Sequence, residues 1–89
     1  MPTIHLRIEG KVQGVFFRAS AKKIARKLKL TGWIKNTKDG NVEVIATGNQ
    51  EPLQEFIHWS KKGPENAMVE NVFVTQQPEV LFNDFEIVR

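Results

Sequence analysis

The stretch TGWIKNTKDGNVEVIATG, residues 31–48, decides the reading of the fold. Two β-prone runs flank Asp39-Gly40, a dipeptide that supplies the positive φ angles a tight hairpin turn demands. Strands are therefore expected over Thr31 to Asn36 and over Asn41 to Thr47. The residues on either side of this hairpin follow a different period. Before it, Ala21, Ile24, Ala25 and Leu28 recur at helical spacing, with Lys22, Lys23, Arg26 and Lys27 on the opposite side. A basic amphipathic helix from about Phe17 to Lys29 is the expectation. After the hairpin, Asn49 stands as an N-cap and Pro52 falls in a first helical turn. Leu53, Phe56, Ile57 and Ser60 then form one stripe, until Gly63-Pro64 stops the helix.

Outside the two helices the period returns to two. In TIHLRIEGKV, residues 3–12, Ile4, Leu6 and Ile8 share one face, and His5, Arg7 and Glu9 share the other, the pattern of a half-buried strand. AMVENVFVTQ, residues 67–76, reads as another strand, with Glu70-Asn71 breaking the alternation where a bulge is expected. A short last strand, DFEIVR, follows a turn at Gln77-Pro78. There is no linker, low-complexity tract or close internal repeat. The order strand, helix, strand, strand, helix, strand, strand predicts an α+β, ferredoxin-like sandwich. Its sheet is five-stranded and mainly antiparallel, with two helices packed on one face. A chain of 89 residues suits one domain over residues 1–89, large enough for a single core.

Composition removes several chemistries. Cysteine is absent, which excludes a disulfide framework, a thiolate nucleophile and cysteine-ligated metal centres. The opening MPTIHLRIEG alternates apolar and polar residues and lacks the plan of a secretory signal. No apolar run approaches the roughly 20 residues of a membrane span. A cytoplasmic protein with no membrane partner is expected. The net charge of +3 suits several anionic partners equally and decides nothing alone.

GKVQGVFFRAS, residues 10–20, is the stretch that carries chemistry. It holds two glycines and one arginine, without acid or histidine, just before the first helix. Backbone N–H groups from Gln13 through Phe17, including those of Gly14, Val15 and Phe16, lead into a helix N-terminus and form a nest suited to phosphate oxygens. Arg18 adds a full charge and a planar fork matching two oxygens at once. The G-x-x-x-x-G-K-[ST] pattern and magnesium ligands are missing, so a single phosphate fits better than a nucleoside triphosphate. The fold brings a second residue near. A helix of about 12 residues rises roughly 18 Å and a six-residue strand returns about 20 Å. A helical crossover also makes the strands it joins parallel, so Arg18 and Asn36 are expected to face one pocket.

No nucleophile stands by this loop: Ser20 lies inside the helix and no histidine sits beside it. Catalysis there must use water. A phosphate clamp with a neutral amide and no general acid suits a leaving group that departs unprotonated, and a carboxylate, of pKa near about 4, is one. Phosphoryl transfer through a loose transition state needs mainly positioning and charge stabilisation. The residues thus point to mixed anhydrides of phosphate and carboxylic acids.

GKVQGVFFR, followed by TGWIKNTKDGNVEV and later by FIHWSKKGPENAMVENV, resembles the acylphosphatases over nearly the whole chain. The joint spacing of G-x-V-Q-G-V-x-F-R and G-W-x-x-N is highly specific. The resemblance implies metal-free hydrolysis of acyl phosphates, such as acetyl phosphate, carbamoyl phosphate or bisphosphoglycerate-type metabolites, with no cofactor. It assigns phosphate binding to residues 13–18 and to Arg18, and it gives Asn36 the orienting of the attacking water. A monomer without a nucleic-acid partner is expected. One position departs from the family: Leu28-Lys29-Leu30 stands where L-G-L is common, so the helix loses its glycine C-cap, at a cost of about 1 kcal/mol if Lys29 must adopt a left-handed conformation.

Plainer roles stand beside these. Asn36 could be a turn residue before Asp39-Gly40, and Gly10 and Gly14 could serve the turn alone. His5 and His58 read as surface or partly packed residues, and Trp33, Trp59, Phe16, Phe17 and Phe56 as core or rim aromatics. The Lys22, Lys23, Arg26, Lys27 cluster reads as a solvated face. An RNA-recognition module shares the element order, but Phe16 and Phe17 belong to a loop rather than a central strand. The strand NVEVIATG also offers no aromatic for base stacking. A regulatory or maturation domain of acylphosphatase type that has lost turnover stays open.

Overall fold

Alternation of apolar side chains builds the first strand, β1 (Thr3–Lys11), as expected: Ile4, Leu6 and Ile8 are buried while His5 and Arg7 are half-exposed. The computed structural model describes residues 1–89. The remaining elements, in chain order, are α1 (Phe17–Lys27), β2 (Thr31–Asn36), β3 (Val42–Thr47), α2 (Gln50–Lys62), β4 (Met68–Gln77) and β5 (Phe85–Ile87). The strands form one sheet in the order β4-β1-β3-β2-β5. Every pairing is antiparallel except β2 with β5. This is the expected α+β ferredoxin-like sandwich.

The helices cover the face that carries Ile4, Leu6, Ile8, Ile34, Val42, Val44, Ala46 and Phe85, and these join Phe17, Ala21, Ala25, Leu53 and Phe56 in one core. Burial of that apolar area is the main stabilising term. The opposite face is open to solvent and carries ion pairs of His5 and Lys35 with Glu43, and of Arg7 with Glu9 and Asp39. Lys35 also lies over the Trp33 ring, 5.4 Å from its centre. At one margin β4 pairs with β1 alone. No helix is long and apolar enough to cross a membrane.

Four local details differ from, or sharpen, the sequence reading. The hairpin is not a two-residue turn at Asp39-Gly40: only Gly40 has a positive φ, of 91°, and Thr37 and Asn41 close a longer loop through Thr37 N–H to the Asn41 carbonyl. A turn closed by a left-handed glycine is the usual three-residue hairpin solution, and it starts β3 at Val42 rather than Asn41. Asn49 is the N-cap of α2, yet its side chain makes no capping hydrogen bond. The irregularity expected at Glu70-Asn71 is present: Glu9 pairs with Asn71 and Gly10 with Val69, leaving Glu70 unpaired. Gly10 belongs to this bulge rather than to the loop beyond it, because a Cβ there would stand 2.2 Å from the Met68 carbonyl oxygen.

The end of α1 explains the fourth. The helix stops at Lys27, two residues short of the expected limit, and Lys29 turns left-handed with φ 61°. Lys29 N–H then bonds to the Arg26 carbonyl and Leu30 N–H to that of Ala25, the paired bonds of a Schellman stop, with Leu30 and Ala25 both in the core. The stop is thus built without its usual glycine. Lys29→Gly is expected to raise stability by about 1 kcal/mol, the left-handed strain relieved less the extra freedom of the unfolded chain. Urea unfolding of the two proteins reads this difference directly.

Candidate active site

The register of the sheet fixes the level of the site. Ile8 of β1 and Asn36 of β2 both pair with Val42 of β3, so the two outer strands run parallel and reach the same edge in one row. Beyond β1 the chain forms the loop 12–16, and α1 starts there. The backbone of that loop turns positive at Gly14, with φ 73°, and again at Phe16, with φ 64° and ψ 25°, on either side of Val15. Such alternation points successive N–H groups toward one side. Open space surrounds the position of a Cβ at Gly14, so its glycine answers to the backbone angle and not to crowding.

Helix α1 begins at this loop without protection. Phe16 is its N-cap, no side chain caps it, and its first turn holds no acidic residue. The first helical hydrogen bond there runs from Ser20 N–H to the Phe16 carbonyl. The N–H groups before Ser20 have no partner within the helix and face outward with the positive end of its dipole.

A cleft of about 410 Å³ opens against this terminus, lined by Gly14, Phe16, Arg18, Ala19 and Asn36 over a floor of Val12 and Phe17, with Ile87 and Arg89 at its side. Arg18 and Asn36 are therefore brought together, as the strand geometry predicted. No aspartate, glutamate or histidine side chain lines it. The contrast among the arginines is informative: Arg7 is held by Glu9 and Asp39, and Arg26 by Asp84 and Glu86. Arg18 and Arg89, in the cleft, make no ion pair. Both guanidinium charges remain available to an anion. Asn36 Oδ1 is buried and has no hydrogen-bond partner, the one such side-chain atom in the protein. A buried acceptor left unpaired is costly, and a small donor such as water relieves it.

The other expected loop residues divide. Val15 and Phe17 point their side chains into the core and can offer the cleft only backbone. The Gln13 side chain is turned to the hairpin: its amide donates to the carbonyls of Thr37 at 2.9 Å and Asn41 at 2.8 Å, tying the loop to the β2–β3 connection just past Asn36 and leaving only its backbone to the cleft side. The same hairpin is braced by Asp39, whose carboxyl is lowered to about 2, first by the Thr37 hydroxyl and then by the Arg7 guanidinium. A depressed carboxyl contributes above its ordinary range, and that contribution is lost as pH falls toward about 2. His5 lies on the open sheet face and His58 on the outside of α2 beside Glu55 and Trp59, both away from the cleft. Ile87 and Arg89 escaped the sequence reading. The alternation Phe85, Ile87, Arg89 carried a signal, but using it requires knowing that β5 lies parallel to β2, with Ile87 beside Ile34.

Comparison with known proteins gives the family and the fold. The family model described as Acylphosphatase matches residues 4–87. An acylphosphatase of Legionella pneumophila (strain Corby) is 56% identical over 63 residues, covering 71% of this chain and 69% of its own. The solved acylphosphatase of Coxiella burnetii superposes with a TM-score of 0.95 at 40% identity, covering 98% of this chain and 92% of that one. That of Bacillus subtilis gives 0.96 at 37% identity over the whole of both chains. The chain belongs to the acylphosphatase family. The enzyme class expected from its motifs, a hydrolase acting on acyl phosphates, stands with that membership.

Gln13 offers a test of how the site is held. Gln13→Ala is expected to lose about 1 kcal/mol of stability, since water replaces part of two half-buried hydrogen bonds, and to lower kcat/KM by unfastening the loop from the hairpin. Chemical unfolding and steady-state kinetics on the same preparation separate the two effects.

Proposed function

We propose that the chain hydrolyses acyl phosphates by in-line attack of a water held at Asn36. The loop amides from Gln13 to Phe17, the start of α1 and Arg18 grip the phosphoryl group. The observation that supports this most directly is Asn36 Oδ1, a buried acceptor with nothing bonded to it, in the same cleft as an arginine that no carboxylate occupies. The amide oxygen accepts a hydrogen bond from the water and turns a lone pair of the water toward phosphorus. As the water oxygen bonds to phosphorus, the bond from phosphorus to the acyl oxygen breaks. An acyl phosphate dianion and water thereby give a carboxylate and dihydrogen phosphate.

That no aspartate, glutamate or histidine side chain lines the cleft fits this reaction. The leaving carboxylate needs no proton, and the water's protons stay with the phosphate product. Charge that spreads over the equatorial oxygens in the transition state meets the Arg18 fork and the N–H groups of the helix start, fixed in place before the substrate arrives. In this reading residues 1–89 work as one domain and as a monomer, without cofactor, nucleic acid or membrane.

Hydrolysis of benzoyl phosphate, followed by its absorbance, tests the proposal. Turnover is expected to persist in chelator. Arg18→Ala is expected to lower kcat/KM about 1,000-fold, because the guanidinium acts on both bound phosphate and transition state. Asn36→Ala is expected to lower kcat by about 100-fold or more while inhibition by inorganic phosphate stays within about twofold. Normal turnover by Asn36→Ala would refute the role given to the water, and loss of activity in chelator would refute the metal-free reaction.

A further inference from the structure

The phosphate reading uses the backbone of Phe16 and leaves its side chain unexplained. The ring is 79% exposed, although its neighbours Val15 and Phe17 are both buried. It pairs with no other aromatic ring, the ring contacts of the protein being among Phe17, Phe56, Phe85 and Trp59. Its backbone is left-handed, a conformation that glycine takes freely and that costs a residue with a Cβ. A phenylalanine here therefore carries strain and gains no burial in return. It nevertheless lines the cleft.

The remainder of the cleft shows what such a ring could meet. Its polar groups are accounted for by the phosphoryl group and the water: the helix start, Arg18 and Asn36. The apolar side chains exposed or half-exposed along it are Phe16, Ala19 and Ile87, and the only other polar side chain is Arg89. From these surroundings, and resting on the acyl phosphate reading above, we infer that the Phe16 ring is a platform for the acyl group of the substrate. The cleft accordingly favours acyl phosphates whose acyl group is flat and apolar, an aromatic one above all, over a bare acetyl group. Offset stacking and the loss of exposed ring area on binding supply the preference. Because the acyl group departs as the carboxylate, contacts kept through the transition state raise kcat/KM for the preferred substrate.

The test is the ratio of kcat/KM for benzoyl phosphate to that for acetyl phosphate in the wild-type protein, Phe16→Gly and Phe16→Tyr. Phe16→Gly is expected to lower the ratio about tenfold, and Phe16→Tyr, which keeps a ring, to hold it within about twofold. The glycine variant is also expected to melt at a higher temperature, since it sheds the left-handed strain. A purely structural residue would move the melting temperature and not the ratio. An unchanged ratio in Phe16→Gly, with both substrates turned over by the wild type, overturns this inference alone. So does a preference for succinyl phosphate that Arg89→Ala abolishes, which would make the cleft a site for a second anionic group. If the wild type hydrolyses neither benzoyl nor acetyl phosphate, the hydrolase reading itself falls, and the acyl platform with it.

Discussion

Two parallel strands that share no hydrogen bond with each other set the position of the whole site. β1 and β2 are held in step by β3, which lies antiparallel between them and gives one residue, Val42, to both Ile8 and Asn36. A slip of one residue in either ladder would turn every buried side chain of that strand to the open face, so the core enforces the register. The same register then dictates that the loop after β1 and the last residue of β2 meet at one edge. The site inherits its geometry from the packing of Ile8, Ile34, Val42 and Val44, none of which lines the cleft.

On this frame the chain leaves a specific set of groups unsatisfied. Other arginines and the buried hydroxyls of the sheet are paired: Arg7 and Arg26 each lie between two carboxylates, and the hydroxyls of Thr3 and Thr47 bond to each other. At the cleft an arginine has no counter-ion, a helix start has no cap and an asparagine oxygen has no donor. Each alone is ordinary. Together, at one edge and without an acidic side chain among them, they describe the shape and charge of what belongs there.

Much of this was legible in the sequence because the period of the hydrophobic pattern changes cleanly from two to 3.6 and back. Ile4, Leu6 and Ile8 and the stripe of Leu53, Phe56, Ile57 and Ser60 fell where alternation and helical spacing put them. Local hydrogen bonding was less legible. Asp39-Gly40 signals a turn but not its length, which depends on the Thr37 and Asn41 pairing across it. Asn49 has the composition of a cap without the bond. Arg18 and Asn36 could be paired from chain geometry alone because a single crossover joins their strands. Arg89 could not, since a parallel partner at the sheet margin depends on how the whole sheet is ordered. Gln13 was placed by its backbone, while its side chain proved to act at a distance of 24 residues.

The order β4-β1-β3-β2-β5 has a kinetic side as well. The first strand is flanked by β3 and β4, so it finds neither neighbour until the chain has closed a loop that encloses α1 in the one case and both helices in the other. Contacts of that span are slow to form, and they form late. The edge where Arg18 and Asn36 meet does not exist before β3 has paired with both of its neighbours. A partly assembled sheet therefore has no partial cleft, and the cleft arises only with the strand pairing that completes the core.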